Sequence, residues 1–109
     1  MIDADKLAKQ LGERGEMWAN TQAAFRALED TEKSILAKHT QHFMSAGARS
    51  QAAAESQARA CVEYCEFLEA KATARHEYGL ATVKYETMKV YIEMQRSNKA
   101  YERTQMGLV

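Results

Sequence analysis

Two short constellations in this chain carry residue types that bind metals, His39-x-x-His42 and Cys61-x-x-x-Cys65. Each pair falls on one face of a helix, and imidazole and thiolate are the common zinc donors. A chain reversal at residues 45–50 would set His42 opposite about residue 53 and His39 opposite about residue 56. Cys61 then lies ~7 Å further along the axis, from the helical rise. The pairs are offset by more than a turn, so a shared site needs a distortion. The expectation is therefore no metal and no cofactor, with the thiols as small core residues and the histidines solvated near the turn. A Cys61–Cys65 disulfide is not expected either. One helical turn separates the two Cα atoms by ~6 Å, but the side-chain directions rarely allow the bridge, and a reducing compartment disfavours it.

A second constellation is basic. Arg96, Lys99 and Arg103 recur at helical spacing, Lys89 lies two turns further back, and Tyr91 and Tyr101 flank the row. Cations with nearby aromatics suit phosphates and stacked bases. The simpler reading is that cations near a helix C-terminus are stabilised by its dipole, with Glu86, Glu93 and Glu102 as partners. Nucleic-acid binding is thus the alternative rather than the leading expectation. The carboxylates Glu63, Glu66, Glu69 and Glu77, interleaved with Lys71 and Arg75, read as a solvated face. No Glu-x-x-His pair marks a di-iron bundle, no glycine-rich loop marks a phosphate site, and His76 and Glu77, being adjacent, do not face each other on a helix. No enzyme activity is expected.

The elements that must position these residues are helices. The 109 residues contain no proline, the strongest helix interrupter. One stretch, Ser45-Ala46-Gly47-Ala48-Arg49-Ser50, reads as a turn between helices over about 3–44 and 51–104. Asp3 and Ser50 are suitable N-caps. In the first helix Leu7, Leu11, Trp18, Phe25, Leu28 and Ile35 form a stripe of heptad spacing. Arg14, Thr21, Glu32, His39 and His42 share it, so the seam is nearly half polar. In the second, the stripe is Ala60, Tyr64, Phe67, Ala74, Tyr78, Ala81, Tyr85, Met88 and Ile92. A neighbouring row adds Ala54, Ala58, Cys61, Cys65, Leu68 and Ala72. Gly12, Gly15 and Gly79 are the candidate breaks, each costing about 1 kcal/mol relative to alanine. Residues 106–109 read as a frayed tail.

Helices of this length would span ~60 and ~80 Å, well beyond the ~26 Å diameter of a compact domain of this size. The expected fold is all-α, in a single domain: two long helices in an antiparallel hairpin, or a chain folded back at those glycines, self-associating into a bundle. A lone hairpin does not cover so wide a stripe, so a two-fold dimer is expected. Its interface and core are assigned to Trp18, Phe25, Leu28, Ile35, Tyr78, Tyr85, Met88 and Ile92, with Leu68 also expected to be buried.

Fifteen basic and fifteen acidic side chains cancel. A neutral chain exerts no global attraction on nucleic acid or anionic lipid. No apolar run approaches the ~20 residues of a membrane span, so no membrane association is expected. The start Met1-Ile2-Asp3-Ala4-Asp5 has neither the basic nor the apolar region of a secretory signal. Together with two cysteines this implies a reducing compartment, by default the cytoplasm.

Glu55 through Ala60, Tyr64, Leu68, Ala72, the run Tyr85-Glu86-Thr87-Met88-Lys89 and the segment Arg96 through Arg103 carry a resemblance. Over residues 50–106 the chain resembles small all-helical accessory proteins encoded in the early and replication–recombination cassettes of bacteriophages. The resemblance implies a phage or prophage origin, hence the host cytoplasm, and transfers no catalytic residue. The function expected is a non-enzymatic helical adaptor that dimerises and offers a helix face to a protein partner. A nucleic-acid accessory protein using Lys89, Arg96, Lys99 and Arg103, and a phage inhibitor of a bacterial defence system, are the alternatives.

Overall fold

The computed structural model describes residues 3–107, which form three helices: α1 (Ala4–Ser45), α2 (Gln51–Ala60) and α3 (Val62–Gly107). The protein is all-α, and no strand occurs among the described residues. Asp3 caps α1 by accepting from the Asp5 N–H at 3.0 Å, which satisfies one of the free donors at a helix start. The turn after α1 is a Schellman motif: the Ala48 N–H reaches the Phe43 carbonyl at 3.1 Å and the Gly47 N–H the Met44 carbonyl at 3.2 Å. Gly47 sits at φ 103°, a left-handed conformation that glycine adopts without a Cβ penalty. Ser50 then caps α2, its hydroxyl accepting from the Ala53 N–H at 3.1 Å.

Two expectations need correction, and one alternative left open by the sequence is decided. The helix expected over 51–104 is divided at Cys61, whose backbone is extended (φ −72°, ψ 153°). Its carbonyl accepts from the Cys65 N–H at 3.1 Å and so starts α3. The helices do not break at Gly12, Gly15 or Gly79, each of which is helical. Burial of a helix face outweighs a propensity penalty of about 1 kcal/mol. Met106 and Gly107 are helical rather than frayed, while Met1, Ile2, Leu108 and Val109 lie outside the described residues.

The chain forms two compact units. One comprises residues 1–20 and 79–109. Its centre is Tyr85, whose ring stacks on Trp18 with centroids 5.5 Å apart and 28° between planes. The same ring covers Gly15 so closely that a Cβ there would stand 3.2 Å from its Cε1. Lys89 Nζ lies 4.8 Å from the Tyr85 ring centroid. The Arg14 guanidinium donates to the Lys84 carbonyl at 3.4 Å. Ala81 and Met88 are buried in this unit.

The other unit comprises Thr21–Tyr78. Phe25 stacks on Tyr78 at 6.1 Å, and the Arg75 guanidinium carbon lies 5.5 Å from the Phe25 ring centroid. Gln22 donates to the Tyr78 hydroxyl at 3.2 Å. Lys71 Nζ lies 3.3 Å from both carboxylate oxygens of Glu32. Lys71 and Arg75, expected on a solvated face, therefore turn to partners on α1. Ala54 and Ala58 are fully buried, with Tyr64 and Ala74 nearly so. Thr40 is buried too, and its hydroxyl is satisfied by donating to the Leu36 carbonyl at 2.8 Å.

Candidate interaction surfaces

The break at Cys61 decides which side chains face inward. In α2 the buried row is Ala54 and Ala58, with Cys61 half-buried after them. An unbroken helix would continue that row at Cys65, Leu68 and Ala72, all of which are exposed. Instead α3 turns in Tyr64, Phe67, Lys71, Ala74, Tyr78, Ala81, Tyr85, Met88, Ile92 and Gln95, at alternating spacings of three and four. The shift replaces small residues with an aromatic-rich row, and larger rings bury more apolar surface. The two rows that made the stripe look wide in the sequence are thus used one after the other, each by its own helix.

Among the residues assigned to the interface and core, Met88 is buried at 6% exposure. Trp18, Phe25, Leu28, Ile35, Tyr78, Tyr85 and Ile92 are half-buried. Leu68, expected inside, is 39% exposed, because it belongs to the row that the break turns outward. Ala60, Arg14 and His42, placed on the stripes by spacing, are also exposed.

The back of α3 carries a feature that the inward stripe obscures in the sequence. Leu80, Val83, Val90, Met94 and Tyr101 are all exposed, Tyr101 at 65%. With Thr87 and Ser97, also exposed, they complete a 3-4-3-4-3-4 spacing on the side opposite Ala81, Tyr85 and Met88. This second stripe runs for ~32 Å at the helical rise, entirely within the unit of residues 1–20 and 79–109. The signal was present in the sequence as a second heptad row in a helix already carrying one.

The same unit holds an open cleft of about 640 Å³. Leu7, Leu11 and Ile92 give it an apolar floor, and Gln95, Arg96, Lys99 and Glu102 a polar rim. In the basic row, Lys89 is engaged, since its ammonium is 3.1 Å from Glu86 and lies against Tyr85. Arg96, Lys99 and Arg103 are exposed and form no ion pair among the described residues. Of the two arrangements expected for these three, pairing with acidic neighbours or solvation of the helix end, the structure has the second.

His39 is half-buried, whereas His42 is exposed with its ring edge-on to Phe43 at 5.3 Å. Among the described residues, no group of three or more His, Cys, Asp or Glu side chains gathers into a metal-binding set. On α2, Arg59 Nη2 donates to Glu55 at 2.9 Å, and this hydrogen bond raises the guanidinium above its ordinary pKa. Within the described residues no helix is long and apolar enough to cross a membrane.

The class of protein that this geometry defines is an all-α chain with helix-lined apolar surfaces. Comparison with protein-family models, with curated proteins and with solved structures gives no match.

Proposed function

We propose that this protein is a non-enzymatic helical interaction module whose α3 back stripe, Leu80 to Tyr101, takes up an apolar helix face, most simply that of a second copy. The observation that carries the reading is the stripe itself. Five large apolar side chains stand exposed at regular coiled-coil spacing, and an apolar row of this extent is the kind of surface that association removes from water. This motive for a dimer differs from stripe width, which the break at Cys61 accounts for within one chain.

In the same reading α1 and α3 lie antiparallel as a hairpin. Support comes from each unit separately. In one, Leu7 and Leu11 share a cleft with Ile92 and Lys99, while Trp18 stacks on Tyr85. In the other, Gln22, Phe25 and Glu32 meet Tyr78, Arg75 and Lys71 in that order. A phage-encoded adaptor working in a host cytoplasm is the setting suggested by the resemblance over residues 50–106.

Sedimentation equilibrium of the purified chain tests the proposal. The wild type is expected to form at least a dimer at micromolar concentration. Val83→Glu with Val90→Glu is expected to yield a monomer of unchanged helical circular dichroism. A monomeric wild type overturns the reading, as does a double variant that associates as the wild type does.

A second reading, nucleic-acid binding, is favoured by one observation: Arg96, Lys99 and Arg103 stand exposed, with Tyr91 and Tyr101 exposed on the same stretch of helix. Such a surface fits phosphates and stacked bases. It ranks below the first because the chain as a whole is neutral.

A further inference from the structure

We infer that Cys61 and Cys65 are a redox-modifiable pair, closing to an intramolecular disulfide that locks the break between α2 and α3. The geometric objection to this bridge holds for a continuous helix, and the helix is not continuous here; in a reducing compartment the bridge is a reversible one, formed while peroxide is present. Cys61 stands between α2 and α3 with an extended backbone (φ −72°, ψ 153°), so its side chain leaves the direction that a helical residue would impose. Cys65 is in the first turn of α3, where helical Cα–Cβ bonds tilt toward the N-terminus and hence toward Cys61. A second observation shows its sulfur reaching back across the break: the Cys65 thiol donates to the Arg59 carbonyl at 3.9 Å. Cα atoms one helical turn apart stand ~6 Å from each other by helix geometry, within the ~4.4–6.8 Å span that disulfides use.

Access is divided between the partners. Cys65 is exposed and Cys61 half-buried, so a peroxide meets Cys65 first. Its sulfur attacks one peroxide oxygen, the O–O bond breaks, and the products are a Cys65 sulfenic acid and water. The Cys61 sulfur, losing its proton, then attacks the sulfenic sulfur. The S–S bond forms, the S–O bond breaks, and a second water leaves. In sum, two thiols are oxidised and one peroxide is reduced to two waters. The closed bridge requires the extended conformation at Cys61. Oxidation therefore fixes the break, and with it the row of α3 side chains that faces inward. Nothing else in the local sequence, Ala58-Arg59-Ala60-Cys61-Val62-Glu63, interrupts a helix.

The test treats the full chain with hydrogen peroxide and follows intact mass, alkylation by N-ethylmaleimide and circular dichroism. The expected product is a monomer-mass species lacking the two thiol hydrogens. It resists alkylation until reduced, keeps its helical signal, and forms faster from the folded chain than from the chain unfolded in urea. Cys61→Ser and Cys65→Ser should each fail to form it. Any of three results overturns the inference: only disulfides between chains, bridge formation no faster in the folded state, or a bridge accompanied by broad loss of helix.

Discussion

Lys71 on α3 holds both carboxylate oxygens of Glu32 on α1 at 3.3 Å, with the two side chains only 18% and 29% exposed. This explains how a charge sits on the apolar seam of α1. A half-buried carboxylate without a partner is costly, and its cation arrives from the facing helix. A double-mutant cycle with Glu32→Ala and Lys71→Ala should give a coupling of about 1 kcal/mol, shrinking as salt is raised. The charge swap Glu32→Lys with Lys71→Glu should recover most of the loss of either single swap. Independent, additive effects in urea denaturation would show that the pair does not form.

The glycines give a test with opposite signs. Gly12 and Gly79 are helical, and an added Cβ meets nothing within 4 Å. Gly12→Ala and Gly79→Ala should each stabilise the chain by about 0.5–1 kcal/mol, through helix propensity and reduced freedom of the unfolded chain. At Gly15 the new Cβ would stand 3.2 Å from Tyr85 Cε1. Gly15→Ala should forfeit that gain, because the Tyr85 ring, stacked on Trp18, must give by a few tenths of an ångström. Thermal denaturation of the three variants checks the order, and equal gains at all three would remove Gly15 from the packing of Tyr85.

Much of the fold is legible in the sequence, and the parts that are not have physical causes. The absence of proline and the heptad rows are enough for an all-helical chain. Gly47 and Ser50 mark the turn because a left-handed C-cap and a hydroxyl N-cap demand those residue types. The break at Cys61 has no such mark. Ala60, Cys61 and Val62 are all compatible with helix, and the interruption comes from packing, which brings the Tyr64 row inward in place of the Cys65 row. That shift also exposes Leu68, which spacing alone places with the interior. The back stripe of α3 is missed for a related reason: a helix with one apolar row already satisfies the expectation of burial. The glycines mislead in the other direction, since propensity is outweighed where a helix face is buried along its length.

Burial separates three side chains that spacing treats alike. Met88 is 6% exposed, Leu28 is half-buried and Leu68 is 39% exposed. Met88→Ala should cost roughly 2–3 kcal/mol, the lower part of the range for truncating a buried methionine. Leu28→Ala should cost less, about 1–2 kcal/mol, since part of its surface is already in water. Leu68→Ala should stay within about 0.5 kcal/mol, as surface substitutions do. Chemical denaturation at low protein concentration, where association is suppressed, measures all three. A large loss at Leu68 alone would place the Cys65–Leu68–Ala72 row inside and the break elsewhere.

The cations of α3 decide between the two functional readings. If Arg96, Lys99 and Arg103 hold phosphates, each contact removed should lower the salt slope of binding by about one. The triple change Arg96→Ala, Lys99→Ala, Arg103→Ala would then abolish DNA or RNA retention at low salt while circular dichroism stays unchanged, because all three side chains are exposed. The expected result is different: no salt-dependent binding by the wild type at physiological ionic strength. The chain is neutral, Lys89 is occupied by Glu86 and Tyr85, and Glu102 stands on the cleft rim beside Arg96 and Lys99. Three cations so placed give too small a field to hold a polyanion against ~150 mM salt. Sub-micromolar binding by the wild type under those conditions, tighter than ordinary non-specific association, would reverse the ranking and make the basic row the functional surface.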